Sequence, residues 1–180
     1  MLKEFYQETI RKDLLNQLKV DNFWRVPRLE KVVVSLGFGS KKENEAFIKE
    51  AFEDLKVITG QTPVFRHSRK AIAGFKLRQG ENIGLQVTLR GVRMWDFLEK
   101  LIKVSLPRLR DFRGVPPTSF DGHGNYNLGI TEHQVFPEVD SNKMKWPKSL
   151  QVTIVTPPFV RDSESEMLLR ALGMPFGKKG

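Results

Sequence analysis

The sequence predicts an α+β fold: a largely antiparallel β-sheet with helices packed on one face, and a long basic loop. Short segments with alternating apolar residues, which are typical of strands, intermix with apolar stripes at helical spacing. The order of these segments lacks the regular βαβ alternation of a parallel sheet. The length of 180 residues suits one domain with a sizeable core, so we expect a single domain over residues 1–180.

Apolar stripes at helical spacing predict four helices. They fall within residues 2–19, 47–58, 94–102 and 167–172. Ser40 is a suitable N-cap for the second helix, and Gly60 is a suitable C-cap. The third helix should end before Pro107, because the residue that precedes a proline is disfavoured in helical conformation.

Alternation of apolar and other residues predicts three strands, over residues 32–38, 83–90 and 150–154. In the second of these, Ile83, Leu85, Val87 and Leu89 share the face that should be buried. The opposite face carries a row of polar side chains from Gln86, Thr88 and Arg90.

Two segments have little periodicity. Residues 66–82 combine basic side chains with glycines and predict a long exposed loop or hairpin tip. Residues 108–127 are rich in Gly, Pro and Asp and predict an irregular excursion.

The positive charge is concentrated in the middle of the chain. The formal net charge is +9, and residues 61–113 hold 12 Lys and Arg against four Asp and Glu, a net +8. A clustered basic footprint favours a polyanionic partner, and nucleic acid before an anionic membrane surface. A solvated positive face is the alternative.

Composition also excludes several classes of protein. The absence of cysteine excludes disulfides, thiolate metal sites and a cysteine nucleophile. The longest stretch without a charge, residues 149–160, is too short and too polar to span a membrane. The N-terminus has neither the apolar core of a signal peptide nor the composition of a transit peptide. We therefore expect the protein to act in the compartment where it is made.

No motif predicts catalysis. The GFG at 37–39 lacks the third glycine of a dinucleotide-binding loop, because Lys42 stands there. His67, His123 and His133 are too dispersed for a helical metal pair, and we predict no metal and no cofactor. His123 lies in DGHGN (121–125), which is more typical of a turn than of a catalytic loop. An RNA-acting enzyme that uses His123 or a carboxylate stays the alternative, with a free-standing RNA chaperone as a third possibility.

RNA fits the remaining features best. A polar sheet face can contact phosphates and 2′-hydroxyls, as in the shape-led recognition of RNA. Arg90 alone could instead form a cross-strand ion pair, but Gln86 and Thr88 share its face and acids are few nearby. No helix-turn-helix, zinc-finger or basic-zipper pattern favours DNA.

Five segments, in order, resemble one family over residues 2–176. They are VPRLEKVVVSLGFG (26–39), ITGQTPVFRHSRKAIAGFKLRQGENIG (58–84), VTLRGVRMWDFLEKL (87–101), PRLRDFRGVPPTSFDGHGNYNLGI (107–130) and FPEVD (136–140). The chain resembles the bacterial-type large-subunit ribosomal protein five family, the universal 5S-rRNA-binding proteins of the central protuberance.

The resemblance implies a non-catalytic, cytoplasmic ribosomal protein. It implies that the open sheet face binds 5S rRNA and that the protein helps to attach 5S rRNA to 23S rRNA. It also implies contact with the peptidyl-site tRNA. The implied protein partners are neighbouring ribosomal proteins, including a small-subunit head protein in an intersubunit bridge. The residues implied to contact 5S rRNA are Ser35, Gln61, Thr88 and Arg90. Those implied for the protruding basic loop, residues 66–84, are Arg66, Arg69, Lys70, Lys76 and Arg78.

The chain departs from the family pattern at two of these positions. Ser35 stands where the family usually has Asn, so a short hydroxyl replaces a longer amide. Arg66 stands where a small hydroxyl residue is usual, which adds one positive charge at the base of the loop.

Overall fold

Five antiparallel strands form one sheet in the order β2-β3-β1-β5-β4 in the computed structural model of the chain. The structure describes residues 2–20, 22–41, 43–110, 112–139 and 145–177. Asp111 and Asp140, which belong to two of the family motifs, lie outside the described residues. The strands are β1 (Lys31–Gly37), β2 (Val64–His67), β3 (Asn82–Leu89), β4 (Tyr126–Ile130) and β5 (Leu150–Val155).

Alternation along the strands determines which face of the sheet is buried. In β1 the buried residues are Val32, Val34 and Leu36, and the residues between them are only half-buried. Each pairs across antiparallel ladders with an equally buried residue, as Val34 does with Val87 and Val152. The same buried side chains pack with those of the helices in one hydrophobic core. The helices thus lie on one face, as predicted, and the other face stays open.

The helical segments extend beyond the predicted stripes. The α-helices are α1 (Leu2–Phe5), α2 (Arg11–Leu18), α3 (Glu45–Thr59), α4 (Gly91–Lys100) and α5 (Asp162–Ala171). A π-helical turn, Tyr6–Ile10, joins α1 to α2, so the predicted first helix is continuous but changes its hydrogen-bond pattern midway. A second π-helical turn, Leu101–Ser105, extends α4. Among the described residues, no helix is both long enough and apolar enough to cross a membrane.

The helix termini correct two predictions. Asn44, not Ser40, is the N-cap of α3, because its side chain accepts a hydrogen bond from the Phe47 N–H at 3.1 Å. The helix that contains α4 does not stop before Pro107. It continues into a 3₁₀ turn, Leu106–Arg108, in which Pro107 lies near the start. Proline has no backbone N–H, but the first N–H groups of a helical turn have no partner within the turn, so no hydrogen bond is lost. Gly60 caps α3 as predicted, with a left-handed φ of 64°.

The sequence patterns missed two strands and misplaced one side chain. The short strand β2 pairs with β3, so the segment between them is residues 68–81, shorter than the predicted 66–84. The other missed strand, β4, begins at Tyr126, inside the predicted excursion. Ile83 is expected on the buried face but is 37% exposed. The register between β2 and β3 shifts at Arg66 and His67, opposite Ile83, and this irregularity interrupts the alternation there.

Candidate nucleic-acid interface

The face of the sheet turned away from the helices, called here the open face, carries mainly uncharged polar side chains and glycine. Its exposed or half-buried residues are Lys31, Val33, Ser35, Gly37, Val64, Arg66, Gln86, Thr88, Asn127, Gly129, Gln151, Thr153 and Val155. Hydroxyls and amides offer both donors and acceptors, so this face can satisfy the mixed hydrogen-bonding groups of a nucleic-acid backbone.

Ser35 lies at the centre of the open face. It is opposite Gln86 of β3 on one side and Gln151 of β5 on the other. Because all three residues have the same orientation in the pleat, a short hydroxyl stands between two longer amides. The family usually has asparagine at position 35, and its side chain extends further than that of serine. At this site either neighbouring glutamine can supply an amide that extends as far.

Gln61 reaches the sheet from the end of α3. Its side-chain amide donates to the backbone carbonyl of Thr88 at 3.3 Å, over a sequence separation of 27 residues. The Thr59 hydroxyl donates to the Leu55 carbonyl at 2.7 Å and so anchors the turn from which Gln61 extends. Two residues assigned through the resemblance, Gln61 and Thr88, therefore meet at the end of β3.

Arg90 follows β3 directly and is the N-cap residue of α4, with extended backbone. Its guanidinium pairs with the Glu30 carboxylate at 3.5 Å, and the two side chains are 56% and 43% exposed. The cross-strand ion pair considered for Arg90 is therefore present. An exposed pair of this kind is worth at most about 1 kcal/mol, so a phosphate can compete with Glu30 for the guanidinium.

Arg66 lies in β2 rather than in the loop to which it was assigned. Its Nε donates to the side-chain carbonyl oxygen of Gln86 on the neighbouring strand, and the pair is exposed. Register explains the placement, because Arg66 pairs with Gly84 and so projects over the same face as Gln86. The structure thus groups Arg66 with the open face, at the opposite end of β3 from Arg90.

The prediction omitted the half of this face formed by β5 and β4. There the Asn127 side-chain oxygen accepts hydrogen bonds from Thr153 at 2.7 Å and from Gln151 at 3.4 Å. Gln151 and Thr153 alternate with buried Leu150, Val152 and Ile154, so the pattern that identified Gln86 and Thr88 could have found them too. Asn127 lies on β4, the missed strand, where no alternation of polar and apolar residues was recognised in the sequence.

The segment between β2 and β3 is a structured hairpin tip, called here the basic loop (68–81). Residues Ile72 and Leu77 pair across it, and a 3₁₀ turn, Ala73–Phe75, closes its end. Four basic side chains are exposed along it: Arg69, Lys70, Lys76 and Arg78. Phe75 at the tip is 73% exposed. The four loop residues predicted to bind RNA therefore lie together, apart from Arg66.

The DGHGN segment forms the predicted turn. One Asp121 carboxylate oxygen accepts from the backbone N–H groups of His123 and Asn125 at 2.9 and 3.1 Å. Burial would raise the pKa of Asp121, but the Asn125 side chain and these N–H groups hold it below its ordinary value. Within the described ranges, no three His, Asp or Glu side chains form a metal-binding group. Asp121 therefore closes a turn in which His123 contributes its backbone N–H.

Two family models together cover most of the chain. The model described as "Ribosomal protein L5" matches residues 22–78, and the model for the C-terminus of the same ribosomal family matches residues 82–176. The sheet takes β1 and β2 from the first range and β3, β4 and β5 from the second.

Curated relatives agree with these matches. The chain is 48% identical over 177 residues to the large ribosomal subunit protein uL5 of Thermus aquaticus, covering 98% of this chain and 97% of the relative. It is 49% identical over 175 residues to the uL5 protein of Anaeromyxobacter sp. (strain K), covering 97% of each. The uL5 protein of Syntrophomonas wolfei is 48% identical over 175 residues, covering 97% of this chain and 98% of the relative.

These matches confirm the predicted family, the absence of an enzymatic role and the location at the cytoplasmic ribosome. With an open polar sheet face, a basic loop and near-complete coverage by its relatives, the chain belongs to the ribosomal protein uL5 family and is a structural constituent of the large ribosomal subunit.

Proposed function

We propose that the open face binds 5S rRNA and helps to attach it to 23S rRNA in the central protuberance. The family resemblance supports this assignment, and so does the proximity of Ser35, Gln61, Thr88 and Arg90 on or beside two neighbouring strands. Residues that are up to 55 positions apart in the sequence converge at β1 and β3. The family membership itself accounts only for a role in the large subunit.

The observation that carries the proposal is the distribution of charge on the open face. Ser35, Gln86 and Thr88 supply an uncharged centre, and cations lie around it: Arg66 on β2, whose guanidinium contacts Gln86, Arg90 directly after β3, and Lys31 at the start of β1. Arginines suit phosphates, and hydroxyls and amides suit riboses and base edges. A folded RNA could therefore bind across β3, with phosphates near Arg66 and Arg90 and its sugars over the centre.

The test is the double variant Thr88→Ala with Arg90→Ala. We expect its affinity for 5S rRNA in a filter-binding titration to fall about tenfold or more, with a weaker salt dependence because one phosphate contact is lost. The fold should persist, because the Arg90–Glu30 pair is exposed and Thr88 is only half-buried.

The matched control is Lys103→Ala, which removes a positive charge from the helical layer, where Lys103 pairs with Glu99 at 2.6 Å. Unchanged 5S affinity in the double variant would contradict the site. Sedimentation of the protein with large subunits that contain 5S rRNA separates the proposed role from that of a free-standing RNA chaperone, which would remain outside the subunit.

We further propose that the basic loop contacts the peptidyl-site tRNA and that another surface meets a small-subunit head protein. The exposed cations Arg69, Lys70, Lys76 and Arg78 support the first part, since they extend from the sheet on a hairpin with its own internal hydrogen bonds. The second part rests on the resemblance alone.

A further inference from the structure

The open face contains a shallow concavity where β1, β5 and β4 lie side by side. It has a volume of about 430 Å³, and the described residues that line it carry no charge. Ser35, Gln151 and Gly129 form one cross-strand row of its floor. Gly37, in β1, lies two residues beyond Ser35 on the same face.

Two glycines on this floor have no intramolecular explanation. Neither Gly37 nor Gly129 has a positive φ, and a Cβ built on either would meet nothing within 4 Å. Glycine within a strand is unfavourable, because the unfolded chain has more freedom to lose and no side chain packs. The fold by itself would therefore be at least as stable with a side chain at either position.

Another glycine of the same sheet shows the contrast. Gly84 pairs with Gly37 across β1 and β3, but a Cβ on Gly84 would lie 2.5 Å from the Leu36 carbonyl oxygen. Backbone packing therefore requires glycine at 84. At 37 and 129 the side-chain space opens outward, into the concavity.

We propose that Gly37 and Gly129 form a close-approach site for the sugar edge of an RNA strand. This inference rests on the proposed function. It specifies which part of the RNA binds to the half of the open face formed by β1, β5 and β4. A strand backbone without Cβ atoms lets a ribose come closer to the sheet than any side chain would allow. The hydroxyl of Ser35 and the amide of Gln151 then lie within the same concavity as donors and acceptors for 2′-hydroxyls.

The uncharged lining favours the sugar edge over the phosphates. Phosphates are attracted by Lys and Arg, and the cations of the open face lie elsewhere: Arg66 on β2, Arg90 after β3, and Lys31 at the end of β1 away from the concavity. The concavity would consequently contribute through fit and hydrogen bonds, and only weakly through salt-dependent attraction.

The test measures folding and RNA binding in the same variants, Gly37→Ala, Gly129→Ala and Gly129→Val. We expect each alanine variant to unfold at the same temperature or up to about 1–4 °C higher, because strand glycines are costly. We expect 5S rRNA affinity to fall at least about fivefold, and further with valine, because an added side chain overpacks the contact. The slope of affinity against salt should not change.

Gly74→Ala is the matched control, because Gly74 also has open space around its Cβ and no positive φ but lies in the basic loop. Its 5S affinity should equal that of the unmodified chain. In a second experiment, the 2′-hydroxyls of 5S rRNA are replaced by hydrogen in one block of nucleotides at a time. One block should weaken binding of the unmodified chain, and the same replacement should weaken binding of Gly129→Val by a smaller factor. If no block mattered, the assignment to a sugar edge would be overturned.

The outcomes separate this inference from the proposed function. Failure of the unmodified chain to bind 5S rRNA would overturn both. If the chain binds and Arg90→Ala weakens binding, but the glycine variants bind normally, only the close-approach site is wrong. A lower unfolding temperature in the alanine variants would show that the fold itself needs these glycines, which also overturns it.

Discussion

Lys148 is the most deeply buried charged residue that the structure describes, with a side chain that is 0% exposed. Its ammonium lies 2.5 Å from a Glu50 oxygen and 2.7 Å from an Asp54 oxygen, both on α3. Its backbone N–H donates to Nδ1 of buried His133 at 3.3 Å. Because Nδ1 accepts, the imidazole proton lies on Nε2, which donates to Asp54 at 3.1 Å. These four residues, the Lys148 network, tie α3 to the segment that leads into β5.

The Lys148 network makes folding sensitive to acid. Burial would raise the pKa of Asp54, but the hydrogen bonds from His133 and Lys148 and the Lys148 charge together hold it below its ordinary 3.8. A carboxyl with a lowered pKa in the folded state stabilises the protein above its unfolded-state pKa. That contribution is lost as the pH falls below about 4 through the folded-state pKa.

We expect Lys148→Met to lower the free energy of unfolding by about 3–5 kcal/mol, because it leaves two partly buried carboxylates without their cation. Urea denaturation at neutral pH measures this loss. Lys103→Met is the control, because the exposed Lys103–Glu99 pair is worth at most about 1 kcal/mol. Equal losses in the two variants would contradict the role given to Lys148.

At the scale of elements, alternation was a reliable guide to the long strands and failed for the short ones. The strands β1 and β5 bury every second residue, and β3 does so from Leu85 to Leu89, so their polar faces were predictable. The missed strand β2 has four residues with little burial, VFRH, and is a strand because β3 supplies its hydrogen bonds. The other missed strand, β4, contains Gly129 and follows the glycine-containing turn DGHGN (121–125), and this composition resembled a loop.

The separation of Arg66 from the basic loop leads to a prediction at this scale. Neutralising Lys70, Lys76 and Arg78 should leave 5S rRNA affinity nearly unchanged and weaken tRNA binding at the peptidyl site. Arg66→Ala, in contrast, should weaken 5S binding, because its guanidinium lies against Gln86 on the open face. Filter binding of 5S rRNA to the free protein, and of tRNA to ribosomes that carry each variant, measures both effects.

A loss of 5S affinity in the triple loop variant as large as that of Thr88→Ala with Arg90→Ala would show that the loop belongs to the 5S site. Normal tRNA binding in the triple variant would remove the tRNA assignment.

At the scale of the whole molecule, the central strand joins the two ranges matched by the family models. Strand β1 comes from the first range and pairs on both sides with strands of the second, β3 and β5. Separating the ranges would break both ladders and expose Val32 and Val34, which are 0% exposed. We therefore propose that the chain folds as a single unit.

This predicts one cooperative unfolding transition in urea. Far-UV circular dichroism and tryptophan fluorescence should give coincident curves, because Trp95 on α4 packs into the same core as the sheet. Two separate transitions, or curves that do not superpose, would contradict the single domain.

The fold also redistributes the basic surplus. Of the bases in residues 61–113, Lys100 pairs with Glu138 and Lys103 with Glu99, each at 2.6 Å. These cations are partly neutralised on the helical layer and do not belong to the open face or the basic loop. The Lys103–Glu99 pair already cancels within the net +8 of residues 61–113, but Glu138 lies outside that segment. The RNA-facing charge is therefore smaller than +8 by the charge of Lys100.

The sequence by itself determined the family, the α+β class, the buried faces of the long strands and the cluster of basic residues, because periodicity and composition are local properties. Only the tertiary structure decided that Gln61 contacts Thr88, that Arg66 joins the open face, that Glu30 pairs with Arg90, and that Asn127 and Gly129 extend that face. Each of these depends on strand pairing or on contacts between residues far apart in the chain. Register and long-range packing are properties of the folded sheet, and no local pattern specifies them.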